Sequence, residues 1–197
     1  MGAECAAGDL FGFLCHVTLD GFFAGPNGEI DWFKAIKKDP EWEEHTQKES
    51  QAGSTLLMGR TTYQMMKTFW PTPAGIASDP HMAKVINESP KIVVSTKLAS
   101  VADEPNWKNV TLRRDLDVEH VRKLKQQGTG SITILGSGSV IQQLANMNLI
   151  DEYELVLVPL VLGAGKQLFS RVKTTGMKLL DAQSFKNGLV SLRYRPV

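Results

Sequence analysis

Apolar, β-compatible runs alternate along the chain with segments of helical period. Residues 10–18 form the first such run and end at a turn-rich stretch over 20–28. Asp39-Pro40 supplies an N-cap and a first-turn proline for a helix over 41–52, with Gly53 placed to end it. Residues 55–58 predict a short buried strand, and 60–69 a helix with Met65, Met66 and Phe69 gathered on one side. A loop rich in Pro, Ala and Ser covers 70–78, after which Asp79-Pro80 repeats the helix-start signal. Further strands are predicted at 92–95, 131–135 and 152–162, the last nearly continuous in apolar residues, as in a strand covered on both faces. Val118, Val121 and Leu124 mark a helix ending near Gly128, and Val140, Ile141, Leu144 and Met147 line another. Residues 177–185 and 189–194 flank Lys186-Asn187-Gly188, and Asn-Gly between two β-patterned runs predicts a hairpin.

This alternation predicts a three-layer α/β domain: a mixed, mostly parallel central sheet, helices on both faces and a C-terminal antiparallel hairpin. Residues 1–9 are small and unpatterned and read as a loose N-terminus, leaving 10–197 as a single domain. With 197 residues, 42% of them hydrophobic, the chain can bury a core without a disulfide or metal staple. A formal net charge of +1 argues against a nucleic-acid partner and gives no reason to expect a membrane one. Cys5 and Cys15 are too few for a disulfide framework, and the apolar N-terminal stretch is too short to span a bilayer, so the cytoplasm is the expected location. His16, His45, His81 and His120 show no metal-ligand spacing, and no metal is expected.

Three strand-to-helix junctions carry candidate chemistry. Leu135-Gly136-Ser137-Gly138-Ser139-Val140 pairs glycines with a helix start, where free amides and the positive end of the helix dipole can hold a phosphate; the alternative is a tight turn with a Ser cap. Met58-Gly59-Arg60-Thr61-Thr62-Tyr63 adds two threonines and a guanidinium, and Val94-Ser95-Thr96-Lys97 adds two hydroxyls and a cation. Ligands of α/β sheets bind beyond the carboxyl ends of strands, and Arg60 with Lys97, rather than an acid, favours NADP over NAD. Other motifs fail. Ile141 occupies the third glycine position of a Rossmann fingerprint, Gln167 replaces the Ser/Thr of a P-loop, and Val140 replaces the closing glycine of a serine-hydrolase elbow. At 100° per residue from Trp42, Glu49 falls on the predicted semi-buried side of its helix, where a carboxylate can relay a proton or else pair with a neighbouring cation. Asp20 reads as a site acid or as a turn-former bonding nearby amides, and Trp32 as a wall for a flat heterocycle or as a core residue.

In this order and spacing, the segments resemble the dihydrofolate-reductase-like superfamily, above all stand-alone relatives of the reductase domain of the bifunctional riboflavin-biosynthesis deaminase-reductase. The resemblance rests on Val17-Thr18-Leu19-Asp20-Gly21 with Trp32, Leu57-Met58-Gly59-Arg60-Thr61-Thr62-Tyr63, Phe69-Trp70-Pro71 and Val93-Val94-Ser95. It continues through Leu135-Gly136-Ser137-Gly138-Ser139, Leu149-Ile150-Asp151-Glu152 and Pro159-Leu160-Val161-Leu162-Gly163 with Leu168-Phe169. It implies NADPH as hydride donor and a homodimer. Gly59, Arg60, Thr61 and Thr62 with Gly136, Ser137, Gly138, Ser139 and Val140 would hold the pyrophosphate. Arg60, Ser95, Thr96 and Lys97 would surround the 2′-phosphate, the backbone of His16 would approach the nicotinamide, and Trp32 would border the nicotinamide or substrate. The sequence departs from the family at two places. Leu135 stands where the riboflavin-pathway enzymes carry a substrate-binding glutamate, and the position matching the pterin-binding carboxylate of dihydrofolate reductases is Glu43, off the Trp42 face. The expectation is therefore an NADPH-dependent reductase acting on a C=N or C=O bond of a small pterin- or pyrimidine-like heterocycle, with Glu49 supplying the proton and Asp20 second. The alternatives are the 5-amino-6-(5-phosphoribosylamino)uracil reductase step and a non-catalytic NADP-binding or sensing protein.

Overall fold

A computed structural model describes residues 11–50, 54–126 and 131–197. The expected loose N-terminus, Cys5 and the helix ends at Gly53 and Gly128 lie outside the described residues. In chain order the strands are β1 (Phe11–Thr18), β2 (Phe22–Ala24), β3 (Thr55–Gly59), β4 (Lys91–Val94), β5 (Val110–Arg113), β6 (Ile132–Leu135), β7 (Glu152–Val158), β8 (Lys166–Gln167), β9 (Met177–Ser184) and β10 (Val190–Pro196). The α-helices are α1 (Pro40–Ser50), α2 (Arg60–Phe69), α3 (Pro73–Ser78), α4 (Pro80–Glu88), α5 (Val118–Gln126) and α6 (Gly138–Asn146), with a 3-10 turn at Asp31–Ala35. The architecture is a mixed, mostly parallel eight-stranded sheet with helices and a C-terminal antiparallel hairpin; β2 and β8 pair separately. The described residues group into two compact units, one of Phe11 and those within 47–137, the other of 12–46 and 138–197.

In the first unit β5, β4, β3 and β6 run parallel in that order, so their carboxyl ends share one edge. All five residues of β3 are buried, as the central position demands. Leu56, Met58, Tyr63, Ile86 and Val93 pack around Trp107. Lys91 is buried in the same unit, its ammonium donating to the carbonyls of Asn87, Ser89 and Lys108 at 2.8–2.9 Å and lying 4.6 Å from the Trp107 ring centroid. Burial pushes its pKa down to about 8, but three carbonyls and an aromatic face compensate the charged form. Two expectations need correction. The 70–78 stretch is no simple loop: Thr72 accepts from the Gly75 amide and, with Pro73, starts α3. On α2 the buried residues are Thr62 and Tyr63, while Met65 and Phe69 are exposed, so the apolar stripe read from the sequence is partly a surface one.

In the second unit β1 and β7 are parallel, and β7, β10 and β9 antiparallel. The register sets Leu14 beside Glu154 and His16 beside Val156, with Ser191 facing Val156 from β10. Leu14, His16, Glu154, Val156 and Ser191 therefore share one face, while Phe13 and Tyr153 meet edge-on across the other at 4.9 Å. Cys15 is buried on the Phe13 side, where desolvation raises its thiol to about 12. β7 stops at Val158, short of the expected 162, because Pro159 interrupts the ladder. The Asn-Gly hairpin forms as expected, with Gly188 at φ +88° and the Asn187 amide bonded to buried Asp39. Among the described residues no helix is long and apolar enough to cross a membrane.

Replacing Lys91 with Met removes the donor from three backbone carbonyls at once. It should lower the unfolding free energy by about 3 kcal/mol, read from urea denaturation with an unchanged m-value.

Candidate active site

The expected junctions β3–α2, β4–Lys97 and β6–Ser137 stand at one edge of the first unit, because β4, β3 and β6 are adjacent and parallel. Gly136 and Ser137 are consecutive left-handed residues at φ +58° and +56°. A Cβ at Gly136 would come no closer than 3.6 Å to Thr62, so conformation rather than space calls for glycine there. Ser137 has a Cβ and bears the strain for a purpose. Its Oγ accepts the Gly59 amide at 2.6 Å and meets Thr62 Oγ1 at 2.7 Å, tying the two turns together. Gly59 N–H and Ser137 Oγ thus satisfy each other. Gly59 caps α2 without any side-chain bond, so the first-turn amides of this ten-residue helix, with the exposed Thr61, are the donors that can meet an anion.

Ser95 is buried, and its hydroxyl accepts the amides of Lys97 and Leu98, so it shapes the turn and leaves Thr96 and Lys97 exposed on it. Arg114, which the sequence reading missed, donates to the carbonyls of Ser95, Leu98 and Ala99 and clamps the same turn. Arg113 ends β5 beside Val94, and Arg60 reaches Gln64 along its own helix at 3.2 Å. The Arg113-Arg114 pair directly after an alternating run was the available signal for a further basic corner.

Gly138, Ser139 and Val140 open α6 in the second unit, where a Cβ on Gly138 would stand 2.6 Å from the Phe23 ring; here glycine is required by space. Trp32 is buried, stacked on Phe33, and its indole N–H has no hydrogen-bond partner among the described residues. His16 lies 5.0 Å from Phe33 and 5.7 Å from Trp42, and burial lowers its imidazole to about 4, so it is neutral. Leu135 ends β6 in the first unit, half-buried against the Trp107 core.

The two expected acids need correction. Asp20 accepts the Thr18 hydroxyl at 2.5 Å and the amides of Leu162 and Gly163, which hold its carboxyl below the usual range. That is the turn-former role, and it keeps the group ionised. Glu49 is exposed rather than semi-buried. No residue of α1 is fully buried, and in its last turn Ser50 Oγ meets His81 Nε2 at 2.9 Å. Besides Asp39, Glu154 is a buried carboxylate, and its Oε1 lies 3.3 Å from His45 Nε2 and takes the Ser191 hydroxyl at 2.9 Å. The apolar reading of β7 hid it, although acids at Glu152 and Glu154 alternating with Tyr153 and Leu155 were the visible sign.

A model of the RibD C-terminal domain matches residues 14–191. The chain belongs to that family. It is 31% identical over 179 residues to YyaP of Bacillus subtilis strain 168, covering 90% of both chains. Among solved structures, a putative riboflavin biosynthesis protein from Shewanella sp. PV-4 is 21% identical with TM-score 0.75, covering 95% of this chain and 99% of that one. Dihydrofolate reductase from Enterococcus faecalis complexed with NADP(H) is 14% identical with TM-score 0.62, covering 96% and 97%.

In this RibD C-terminal domain, Ser137→Ala keeps the left-handed strain and loses the hydroxyl, whereas Ser137→Gly relieves the strain. Thermal melts should show both variants less stable than the parent and the Ala variant the worse of the two, by about 1 kcal/mol.

Proposed function

We propose that the protein is an NADPH-dependent reductase that delivers hydride to a C=N or C=O bond of a small pterin- or pyrimidine-like heterocycle. The observation carrying this reading is the edge of the first unit, where an uncapped ten-residue helix start adjoins two hydroxyl-bearing turns ringed by cations. That donor set fits a doubly phosphorylated nucleotide. The first-turn amides of α2, with Thr61 and the Gly136–Ser137 turn, suit a pyrophosphate. Arg60, Thr96, Lys97 and Arg113 suit a 2′-phosphate, with Ser95 and Arg114 holding the turn in shape. When bound, the dihydronicotinamide supplies hydride; the chain supplies orientation and a proton. Asp20, held ionised, serves its loop, and Glu49 stands exposed on α1. The similarity to an NADP(H)-bound dihydrofolate reductase and to a putative riboflavin biosynthesis protein supports the same reading.

The reading includes a cytoplasmic homodimer. All eight residues of β9 are exposed, including Leu179 at 50% and Leu180 at 40%, and the adjoining hollow is lined by Tyr153, Phe169, Met177, Leu192 and Tyr194.

Calorimetry should show NADPH binding, weakened about tenfold by Lys97→Ala with a much smaller effect on NADH; no heat with NADPH in the parent protein overturns the proposal. Leu179→Asp should shift the mass seen by light scattering from dimer to monomer, and a parent protein that elutes as a monomer refutes the dimer.

A further inference from the structure

Beyond the nucleotide corner, the second unit carries a polar cluster that no step has yet used. His45 of α1 keeps 17% of its side-chain surface exposed and Glu154 of β7 keeps 11%; Ser191 of β10 completes the cluster. The His45 ring stacks on Trp42 at 5.5 Å and 28°, Trp42 meets His16 edge-on at 5.7 Å, and His16 meets Phe33 at 5.0 Å. Phe33, His16, Trp42 and His45 are all half-buried, so a row of ring edges and faces borders the imidazole–carboxylate pair, with only Trp42 and His45 near parallel. Glu154 takes up Nε2, and among the described residues Nδ1 has no hydrogen-bond partner. A carboxylate on one ring nitrogen orients the imidazole, leaving the other nitrogen to face a ligand.

Resting on the reductase reading above, we infer that His45, oriented by Glu154 and Ser191, is the proton donor of this site. In the step, hydride from a dihydronicotinamide forms a C–H bond at the substrate carbon. The π pair of the C=N or C=O bond moves onto nitrogen or oxygen, which takes the proton from His45 Nδ1, and the neutral imidazole regains a proton from water. The nicotinamide is oxidised by two electrons and the substrate reduced by two. Glu154 is a positioning residue, since it acts through the imidazole. Two other candidates in this unit suit the task less well: Asp20 is held ionised, and burial raises the Cys15 thiol to about 12. The ionisable neighbours on the surrounding elements are His16 on β1, Glu152 with Arg193 across β7 and β10, and Glu41 of α1 paired with Lys186 of the hairpin.

The test compares the parent protein with His45→Gln and Glu154→Gln on a panel of dihydrofolate, oxidised pteridines and quinones with NADPH. Circular dichroism and melting curves establish folding. Turnover should fall about 100-fold in His45→Gln and about tenfold in Glu154→Gln, with KM and the NADPH dissociation constant changed less than threefold. The pH profile of turnover should differ between the parent and His45→Gln. Proton NMR, which needs no cofactor, should show a downfield His45 Nε2–H signal that is lost in Glu154→Gln. Folded His45→Gln with parental turnover and pH profile overturns the inference while leaving the reductase reading intact. A parent protein that binds NADPH and reduces nothing on the panel overturns both.

Discussion

One hydroxyl sets the geometry of the edge where β3 and β6 end. Ser137 accepts the Gly59 amide and meets Thr62, so the turn after β6 and the start of α2 are a single bonded object. The bond requires Ser137 to sit in the left-handed region, which Gly136 prepares by adopting the same conformation one residue earlier. With the turn closed in this way, α2 begins without a side-chain cap, and its amides stay available instead of being consumed by a neighbouring Ser or Asp. Ser95 and Arg114 apply the same logic to the turn after β4: polar groups spent on internal bonds define a shape, and the exposed cations around them supply the charge.

The second unit is built differently. Its distinctive face has few charges and many rings, with Glu154 and His45 as a paired polar edge among Trp42, Phe185 and His16. A carboxylate in such surroundings is tolerable only because two donors meet the same oxygen. Asp20 shows the converse arrangement, a half-buried carboxylate that accepts from the Thr18 hydroxyl and from the amides of the loop after β7. Two acids a few residues from the same strands thus end in opposite roles, set by what donates to them.

Most of the architecture was legible because strand and helix periods are strong signals: β1, β3, β6, α2, α4 and the Asn-Gly hairpin lie where the patterns put them. The family resemblance was legible too, through the order of weak motifs rather than any one of them. The short elements were hidden. β5 spans four half-exposed or exposed residues, β8 two, and α3 six, so none fills a periodic window. In the site, the sequence pattern put the three strand-to-helix junctions on adjacent parallel strands, where the structure has them, and misjudged the burial of the acids. Glu49 was chosen by helical angle from Trp42, but angle measures direction and not depth, and α1 lies too shallowly to bury that turn. Glu154 was overlooked because a lone acid in an apolar strand reads as noise until its partners, 37 and 109 residues distant in the chain, are seen beside it.

The outer edge of β9 has a consequence for how copies of the chain can add to one another. A long strand with an open edge is a template, and an apolar one invites addition without limit. Here Lys178 and Asp181 interrupt the apolar surface, and a register shift between Arg193 and Tyr194 bends the partner strand beneath it. Growth into a fibre along this edge is therefore discouraged by charge and curvature in the same segment.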